Sequence, residues 1–176
     1  MMKPVIICID DDQTVLDSLM RELSVNFGDR FEIETAMGGL EALELVEDLL
    51  IDECEIAVVI ADYIMPDMKG DEVLKRIHER SPNTLKIMLT GQATIEGVSN
   101  AVNSAQLYRY IAKPWESTQL NFTLQEALKI YFLEHQLAEQ NIQLRASERR
   151  LAQFLEAMPI GVSVHDATGK TTYANR

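Results

Sequence analysis

The chain has 176 residues, of which 47% are hydrophobic, which suffices for one full domain with its own core and a smaller appendage. Its formal net charge of −12 argues against nucleic acid or an anionic membrane surface as a direct partner. The two cysteines, Cys8 and Cys54, form neither a disulfide framework nor a metal-binding motif, and no apolar stretch reaches the roughly 20 residues that span a bilayer. We therefore expect a protein of the reducing cytoplasm.

Short apolar runs alternate with helical patterns through the first 127 residues. Strands are predicted at Val5–Ile9, Phe31–Met37, Ile56–Ala61, Thr84–Leu89 and Leu107–Ala112. Helices are predicted at residues 13–25 and 38–50, between a loop that contains Pro66 and Gly70 and about Glu79, and at 93–104. Because the strands are continuously apolar, this order predicts an α/β domain with a parallel sheet covered on both faces.

A long helical segment begins at Ser117, since no glycine or proline occurs again before Pro159. Apolar residues recur in it every seven positions, at Ile130, Leu137, Leu144, Leu151 and Met158. The second seam is more polar, with Glu134, Asn141, Glu148 and Leu155. This pattern favours a coiled coil that forms a homodimer, and the alternative is a single amphipathic surface helix.

The last residues contain two strand-like segments, "GVSVHD" and "KTTYAN", around an "ATGK" turn. Two strands cannot hold a core alone, so we expect the start of a second domain. The predicted domains are residues 1–127, a helical coiled-coil linker at 128–158, and a truncated domain start at 159–176. The three histidines, His78, His135 and His165, lie far apart in sequence and are expected at surface positions.

Polar residues follow the predicted strands at the carboxyl ends, where chemistry collects in open parallel sheets. They are Asp10 and Asp11 after the first strand, Asp62 after the third, Thr90 after the fourth and Lys113 after the fifth. Carboxylates this close repel one another, and a hard divalent cation such as Mg²⁺ removes that cost. A lysine and a hydroxyl opposite the ion suit an anionic group placed on one carboxylate, which indicates phosphoryl transfer to an aspartate.

Four segments carry a family resemblance, in order and each at the end of the proper strand: "IDDD", "ADYIMPDMKG", "MLTG" and "YRYIAKPW". With them, residues 3–127 resemble a two-component response regulator receiver domain of the CheY-like kind. The resemblance implies a flavodoxin-like, doubly wound (βα)5 fold with strand order 2-1-3-4-5, here with an extended C-terminal helix. It also implies Mg²⁺- or Mn²⁺-dependent transfer of a phosphoryl group from the phosphohistidine of a histidine kinase or phosphotransfer protein.

The resemblance assigns the acidic residues one by one. Asp62 matches the phospho-acceptor, which also contacts the metal. Asp11 matches the direct metal ligand, Asp10 acts through water, and the backbone carbonyl of Ile64 matches the remaining protein ligand. Asp12 falls outside this set and is predicted to be the N-cap of the following helix.

The resemblance also assigns the groups around the phosphoryl position. Thr90 and Lys113 match the residues that bind phosphoryl oxygens, and Tyr110 matches an aromatic switch that follows the threonine inward. The terminal stretch from about Ser147 resembles the start of a PAS sensor domain. The expected role is a phospho-acceptor that passes its switch through the long helix to a downstream output module, with self-phosphorylation and self-dephosphorylation as its only chemistry.

Two alternatives compete with this interpretation. "DDDQTVLDS" also fits the Asp-x-Asp-x-Thr signature of haloacid-dehalogenase-type phosphatases, with Asp10 as nucleophile and Asp12 as acid/base. That family needs a further acidic metal pair after a strand beyond its motif lysine, and Lys113 is followed by a long helix instead. The second alternative is a receiver-shaped scaffold that is not phosphorylated, against which the intact set of site residues argues.

Overall fold

The computed structural model describes residues 3–91, 106–157 and 163–174. The described strands are β1 (Val5–Asp10), β2 (Glu32–Met37), β3 (Ile56–Asp62), β4 (Leu85–Thr90), β5 (Arg109–Ala112), β6 (Ser163–His165) and β7 (Thr171–Ala174). The described helices are α1 (Gln13–Phe27), α2 (Gly39–Ile51), α3 (Gly70–Arg80) and α4 (Ser117–Ala157). The helix predicted at residues 93–104 lies outside the described residues.

The first five strands form one parallel sheet in the order β2-β1-β3-β4-β5. The predicted flavodoxin-like fold class and strand order are therefore confirmed. In the register, Asp62 lies opposite Leu89, and Thr90 lies opposite Ala112. Because all five strands are parallel, their carboxyl ends meet at one edge of the sheet.

The core lies in two layers, one on each face of this sheet. Alternate residues of β1 point to opposite faces: Ile6 and Cys8 pack with α1 and α4, whereas Ile7 and Ile9 pack with α2 and α3. Every residue of β1 and β3 is buried, which explains why both segments are apolar up to the aspartate that ends each of them. The strand ends are thereby held on a rigid scaffold.

The start of helix α1 and the face that it buries both follow from the local sequence. The Asp12 side chain accepts a hydrogen bond from the Thr14 N–H at 2.8 Å, so Asp12 is the N-cap as predicted. The buried residues follow the helical period and face the sheet: Leu16, Leu19, Leu23 and Phe27. Three strands were predicted to begin too early, because β2 begins at Glu32 and not Phe31, β4 at Leu85 and not Thr84, and β5 at Arg109 and not Leu107.

The chain divides into two compact units, Met1–Tyr131 and Phe132–Arg176. Helix α4 is continuous over 41 residues, and its buried residues, from Leu120 to Tyr131, all lie in the first unit. In the second unit, β6 and β7 form an antiparallel hairpin around a turn with Gly169 at φ +83°. The two short strands expected near the end of the chain are present. Within the described ranges, no helix is both long and apolar enough to cross a bilayer.

Candidate functional site

Three strands end in a polar residue at the same edge of the sheet. Asp10 is the last residue of β1, Asp62 the last of β3 and Thr90 the last of β4. The sheet pairing continues one step further, since the Lys113 N–H donates to the Thr90 carbonyl oxygen at 2.8 Å. The fold therefore brings together segments that are far apart in the sequence.

Lys113 joins two of these carboxylates. Its Nζ lies 2.6 Å from Asp10 Oδ2 and 2.6 Å from Asp62 Oδ1. The second oxygen of each carboxylate accepts a backbone N–H at 3.0 Å, from Asp12 at Asp10 and from Ile64 at Asp62. Asp10 is only 1% exposed, so this buried charge is held by charge-assisted hydrogen bonds on both sides.

The shared lysine sets the electrostatics of the pair. Burial raises the pKa of the Asp62 carboxyl above its usual value, and the hydrogen bond and charge of Lys113 offset this only in part, since the negative charge of Asp10 adds to the rise. Burial alone would lower the pKa of Lys113, but its hydrogen bonds to both aspartates outweigh that effect and raise it. Lys113 is therefore a firmly protonated ammonium at neutral pH.

The two aspartates that Lys113 contacts belong to a cluster of three carboxylates. Asp10, Asp11 and Asp62 each offer one carboxylate oxygen, and these atoms lie within 4.8 Å of one another. Three carboxylates against one ammonium leave two negative charges uncompensated, which is the charge of one divalent cation. Hard oxygen donors of this kind suit Mg²⁺ or Mn²⁺, so the residues present fit the metal that the sequence predicts.

Thr90 and Tyr110 occupy different surroundings near the site. Thr90 is buried, and its Oγ1 has no hydrogen-bond partner among the described residues. A buried hydroxyl without a partner costs stability, and an acceptor placed beside it would recover that cost. Tyr110 lies on β5 with 50% of its surface exposed, so its ring is outside the acidic cluster.

The loop after Asp62 is shaped by a glycine that sequence reasoning did not assign. A Cβ atom on Gly70 would lie 2.1 Å from the Asp62 carbonyl oxygen, so no side chain fits there. The Gly70 N–H donates to the Tyr63 carbonyl at 3.0 Å, which closes the loop on itself. Ile64, whose carbonyl the sequence assigns to the metal, lies in this loop with 60% of its surface exposed.

A buried lysine on β4 was not predicted. Lys86 of β4 is buried, and its Nζ lies 2.8 Å from His78 Nδ1 and 3.1 Å from the Pro82 carbonyl oxygen. Burial lowers the pKa of Lys86 to about 8. Of the three histidines expected at surface positions, His165 is exposed, and His135 and His78, the partner of this lysine, are partly exposed.

The segment after Lys113 is fastened to α1. Trp115 packs against the core, and its Nε1 donates to Glu22 Oε2 at 3.3 Å. Asn121 of α4 donates to Glu22 Oε1 at 2.9 Å. Trp115 thus packs where the last helix begins, and Glu22 helps to hold the backbone from which Lys113 projects.

Comparison with known sequences places this architecture in a family. The family described as "Response regulator receiver domain" matches residues 6–125. The chain belongs to this family. It therefore carries a receiver domain of two-component response regulators.

Curated relatives of this receiver domain are longer proteins. The hydrogenase transcriptional regulatory protein HoxA of Cupriavidus necator is 30% identical over 84% of this chain, but the match spans only 29% of HoxA. The regulatory protein AtoC of Escherichia coli is 30% identical over 75% of the chain and 27% of its own length. The chain thus spans less than a third of these relatives.

Solved structures give the same fold. A CheY-like response regulator receiver domain from Methanospirillum hungatei has a TM-score of 0.67 at 29% identity, covering 76% of this chain and 99% of that one. A structure described as an adenylate cyclase from Rhodopirellula baltica has a TM-score of 0.68 at 30% identity, covering 79% and 97%.

Proposed function

We propose that Asp62 of this receiver domain accepts a phosphoryl group from the phosphohistidine of a histidine kinase or phosphotransfer protein. The observation that carries the proposal is the position of Lys113 Nζ, 2.6 Å from both Asp10 and Asp62 beside the three-carboxylate cluster. A cation at this place supports an anionic group on Asp62. Sensor kinase CckA of Brucella abortus is 27% identical over 70% of this chain.

The metal part of the proposal assigns Mg²⁺ or Mn²⁺ to the carboxylates of Asp10, Asp11 and Asp62 and to the Ile64 backbone carbonyl. Asp11 is the exposed member of the cluster, which suits a direct ligand, whereas buried Asp10 suits a role through water. When bound, the ion neutralises charge on the phosphoryl oxygens. The protein side chains align the acceptor and counter the remaining charge.

The transfer step breaks the phosphorus–nitrogen bond of the donor and forms a phosphorus–oxygen bond to Asp62. The donor imidazole keeps the electron pair of the broken bond. Lys113 stays near the transferred group as a fixed positive charge, and the unpartnered Thr90 hydroxyl donates to one of its oxygens. These two residues thereby recognise the phosphorylated state.

The switch part of the proposal runs from Thr90 to the long helix. A Thr90 drawn toward the phosphoryl group leaves space that the half-exposed Tyr110 ring fills. This rearrangement changes the surface beside β5 and α4. Because α4 is continuous to Ala157, the change can reach the residues after the receiver.

The domain organisation remains a proposal: a receiver at 1–127, a coiled-coil linker at 128–158 and a PAS-like start at 159–176. The exposed leucines of α4 support a homodimer through this helix, and the antiparallel β6–β7 hairpin supports the beginning of a PAS-like fold. We place the protein in the cytoplasm, where its kinase acts. Its own chemistry is limited to gaining and losing the phosphoryl group, and an enzymatic output, if any, belongs to a further module.

The phosphatase alternative is less well supported. In it, Asp10 is the nucleophile and Asp12 the acid/base, yet Asp12 caps α1 through the Thr14 N–H. Asp10 is 1% exposed, against 6% for Asp62, and contacts Lys113 and the Asp12 N–H. Asp10 is therefore the less accessible of the two aspartates to a substrate.

Intact-mass spectrometry tests the proposal. Phosphoramidate with Mg²⁺ is expected to add ~80 Da to the chain, and EDTA or Asp62→Asn is expected to abolish the gain. A chain that gains no mass while a known receiver reacts in parallel would favour the unphosphorylated scaffold. Retained labelling in Asp62→Asn would place the acceptor elsewhere.

A further inference from the structure

The start of α2 lacks a cap from its own segment. Its N-cap position is Gly38, at φ +92°, which has no side chain to accept the first amide hydrogens of the helix. Such unpaired N–H groups are usually satisfied by a neighbouring Ser, Thr, Asn or Asp. In this structure the acceptor comes from another loop.

Asp67, in the loop between Asp62 and Gly70, supplies the missing cap. Its Oδ2 accepts the Leu40 N–H at 2.9 Å, across 27 residues of sequence. Desolvation alone would raise the pKa of Asp67, but hydrogen bonds from backbone N–H groups, led by those of Leu40 and Met68, lower it below its ordinary range. The carboxylate is therefore ionised and bound to the positive end of α2.

Two adjacent glycines make room for this contact. A Cβ on Gly38 would lie 2.9 Å from Asp67 Oδ2, and a Cβ on Gly39 would lie 2.9 Å from the Met68 Cβ. Side chains at these positions would force the loop away from the helix. The glycine pair is thus a socket into which Asp67 and Met68 fit.

The socket is itself bonded to the acidic site. The Gly38 N–H donates to the Asp10 carbonyl oxygen at 3.1 Å, so the start of α2 is attached to the end of β1. Asp67 therefore ties the loop that follows Asp62 to the strand that ends in Asp10. Ile64, whose carbonyl is assigned to the metal, lies in this loop between Asp62 and Asp67.

We propose that Asp67 is a positioning residue for the divalent-cation site: by capping α2 it holds the Asp62–Gly70 loop so that Ile64 and Asp62 face Asp10 and Asp11. Asp67 touches neither the metal nor the phosphoryl group. The inference rests on the proposed function, because it concerns the site at which Mg²⁺ is assigned. The Asp67 cap would fix the distance between the end of β1 and the loop that follows Asp62, the two segments that carry the assigned metal ligands.

The test compares Asp67→Asn and Asp67→Ala in the full chain with Asp48→Asn, which removes the same charge from an exposed position further along α2. Mg²⁺ binding is measured by titration calorimetry, and hydrogen exchange of the Leu40 amide by NMR. Alanine is expected to weaken Mg²⁺ binding about threefold or more, because a helix cap and its ion–dipole attraction are lost. Asparagine keeps a hydrogen-bond acceptor, so Asp67→Asn is expected to lose less Mg²⁺ affinity than Asp67→Ala.

The two readouts separate positioning from simpler effects. Faster Leu40 exchange in Asp67→Ala together with weaker Mg²⁺ binding supports the inference, provided that Asp48→Asn matches the parent in both. Equal losses in Asn and Ala that disappear at high salt would indicate a charge effect and overturn it. Unchanged Mg²⁺ binding with faster Leu40 exchange would show a purely structural cap and overturn it as well.

Failure of the proposed function is distinguishable from failure of this inference. A parent chain that binds no Mg²⁺ would contradict the proposed site, and the inference would fall with it. A parent that binds Mg²⁺ beside an Asp67→Ala variant that binds equally well overturns only the role of Asp67. Thermal unfolding in EDTA shows whether each variant is folded. If Asp67→Ala does not fold, the comparison is made with Asp67→Asn.

Discussion

Lys113, which follows β5, and Lys86 of β4 have opposite surroundings. Lys113 lies 2.6 Å from two carboxylates, and its pKa is raised by those hydrogen bonds against the effect of burial. Lys86 contacts an imidazole and a backbone carbonyl, neither of which carries a compensating negative charge. The first lysine serves the site, whereas the second imposes an electrostatic cost on the fold.

Lys86→Met is expected to change how stability depends on pH. Burial lowers the pKa of Lys86 from 10.5 to about 8, so between these values the unfolded chain holds a proton that the folded chain has released. The free energy of unfolding of the parent should therefore rise, relative to the variant, by on the order of 2 kcal/mol from about pH 8 to about pH 10. Below about pH 8 both states are protonated, and the full cost of burial is present.

Urea unfolding at several pH values measures this difference. Lys75→Met, at an exposed position on α3, is the matched control and should follow the parent. Parallel stability curves for the parent and Lys86→Met across the alkaline range would contradict a buried ammonium at this position.

At the scale of elements, the three consecutive aspartates after β1 have separate tasks. Asp10 is buried against Lys113, Asp11 is the exposed member of the acidic cluster, and Asp12 caps α1. A single turn of chain thus completes a strand, contributes to the acidic cluster and starts a helix. The like charge at the end of this buried strand is tolerated because the three carboxylates have different surroundings.

Alanine substitutions separate these tasks. Asp12→Ala is expected to lower the free energy of unfolding by about 1 kcal/mol, the usual cost of a lost N-cap, with Mg²⁺ affinity close to that of the parent. Asp11→Ala is expected to lose most Mg²⁺ affinity and to be at least as stable without metal, because a repulsive carboxylate is removed. Urea unfolding in EDTA and Mg²⁺ calorimetry measure both; the reverse pattern would show that the assigned pair is shifted by one residue.

The strand-end residues could be predicted from the sequence because they depend on local order. Apolar runs mark the strands, and the next polar residue must lie at the sheet edge, which places Asp10, Asp62 and Thr90 correctly. The Asp67 cap could not be predicted, since it depends on packing between segments 27 residues apart. The one available signal was an N-cap position of α2 occupied by glycine, with no capping side chain nearby.

Other side-chain contacts could not be predicted from the sequence for the same reason. Tyr131 donates to Glu55 Oε2 at 2.5 Å, which joins α4 to the segment just before β3. The pairing of Lys86 with His78 likewise needs the sheet and α3 to be in place. Pattern and period predict elements and their order, whereas side-chain partners across elements follow only from the folded structure.

At the scale of the whole molecule, the second half of α4 carries an exposed apolar seam. Leu137, Leu144 and Leu151 are each more than half exposed and recur every seven residues. A polar second seam, with Asn141 and Glu148, makes any pairing with a second copy modest in strength. Such a pairing is suited to adjustment by the receiver.

Leu144→Glu is expected to convert a dimer of the full chain into a monomer, because it places like charges opposite each other in the seam. Gln143→Glu adds the same charge at the adjacent exposed position and should leave the dimer intact. Sedimentation equilibrium measures the association of all three proteins. A parent chain that is monomeric throughout the accessible concentration range would contradict the coiled-coil assignment and leave the single amphipathic helix.

The central claim is that the phosphoryl group resides on Asp62, and locating it is the most direct test. After treatment with phosphoramidate and Mg²⁺, borohydride reduction converts an aspartyl phosphate into homoserine, which peptide mass spectrometry assigns to one position. The account predicts homoserine at residue 62 and none in the sample that received EDTA. Homoserine at residue 10, or an unmodified chain beside a reactive control receiver, would contradict it.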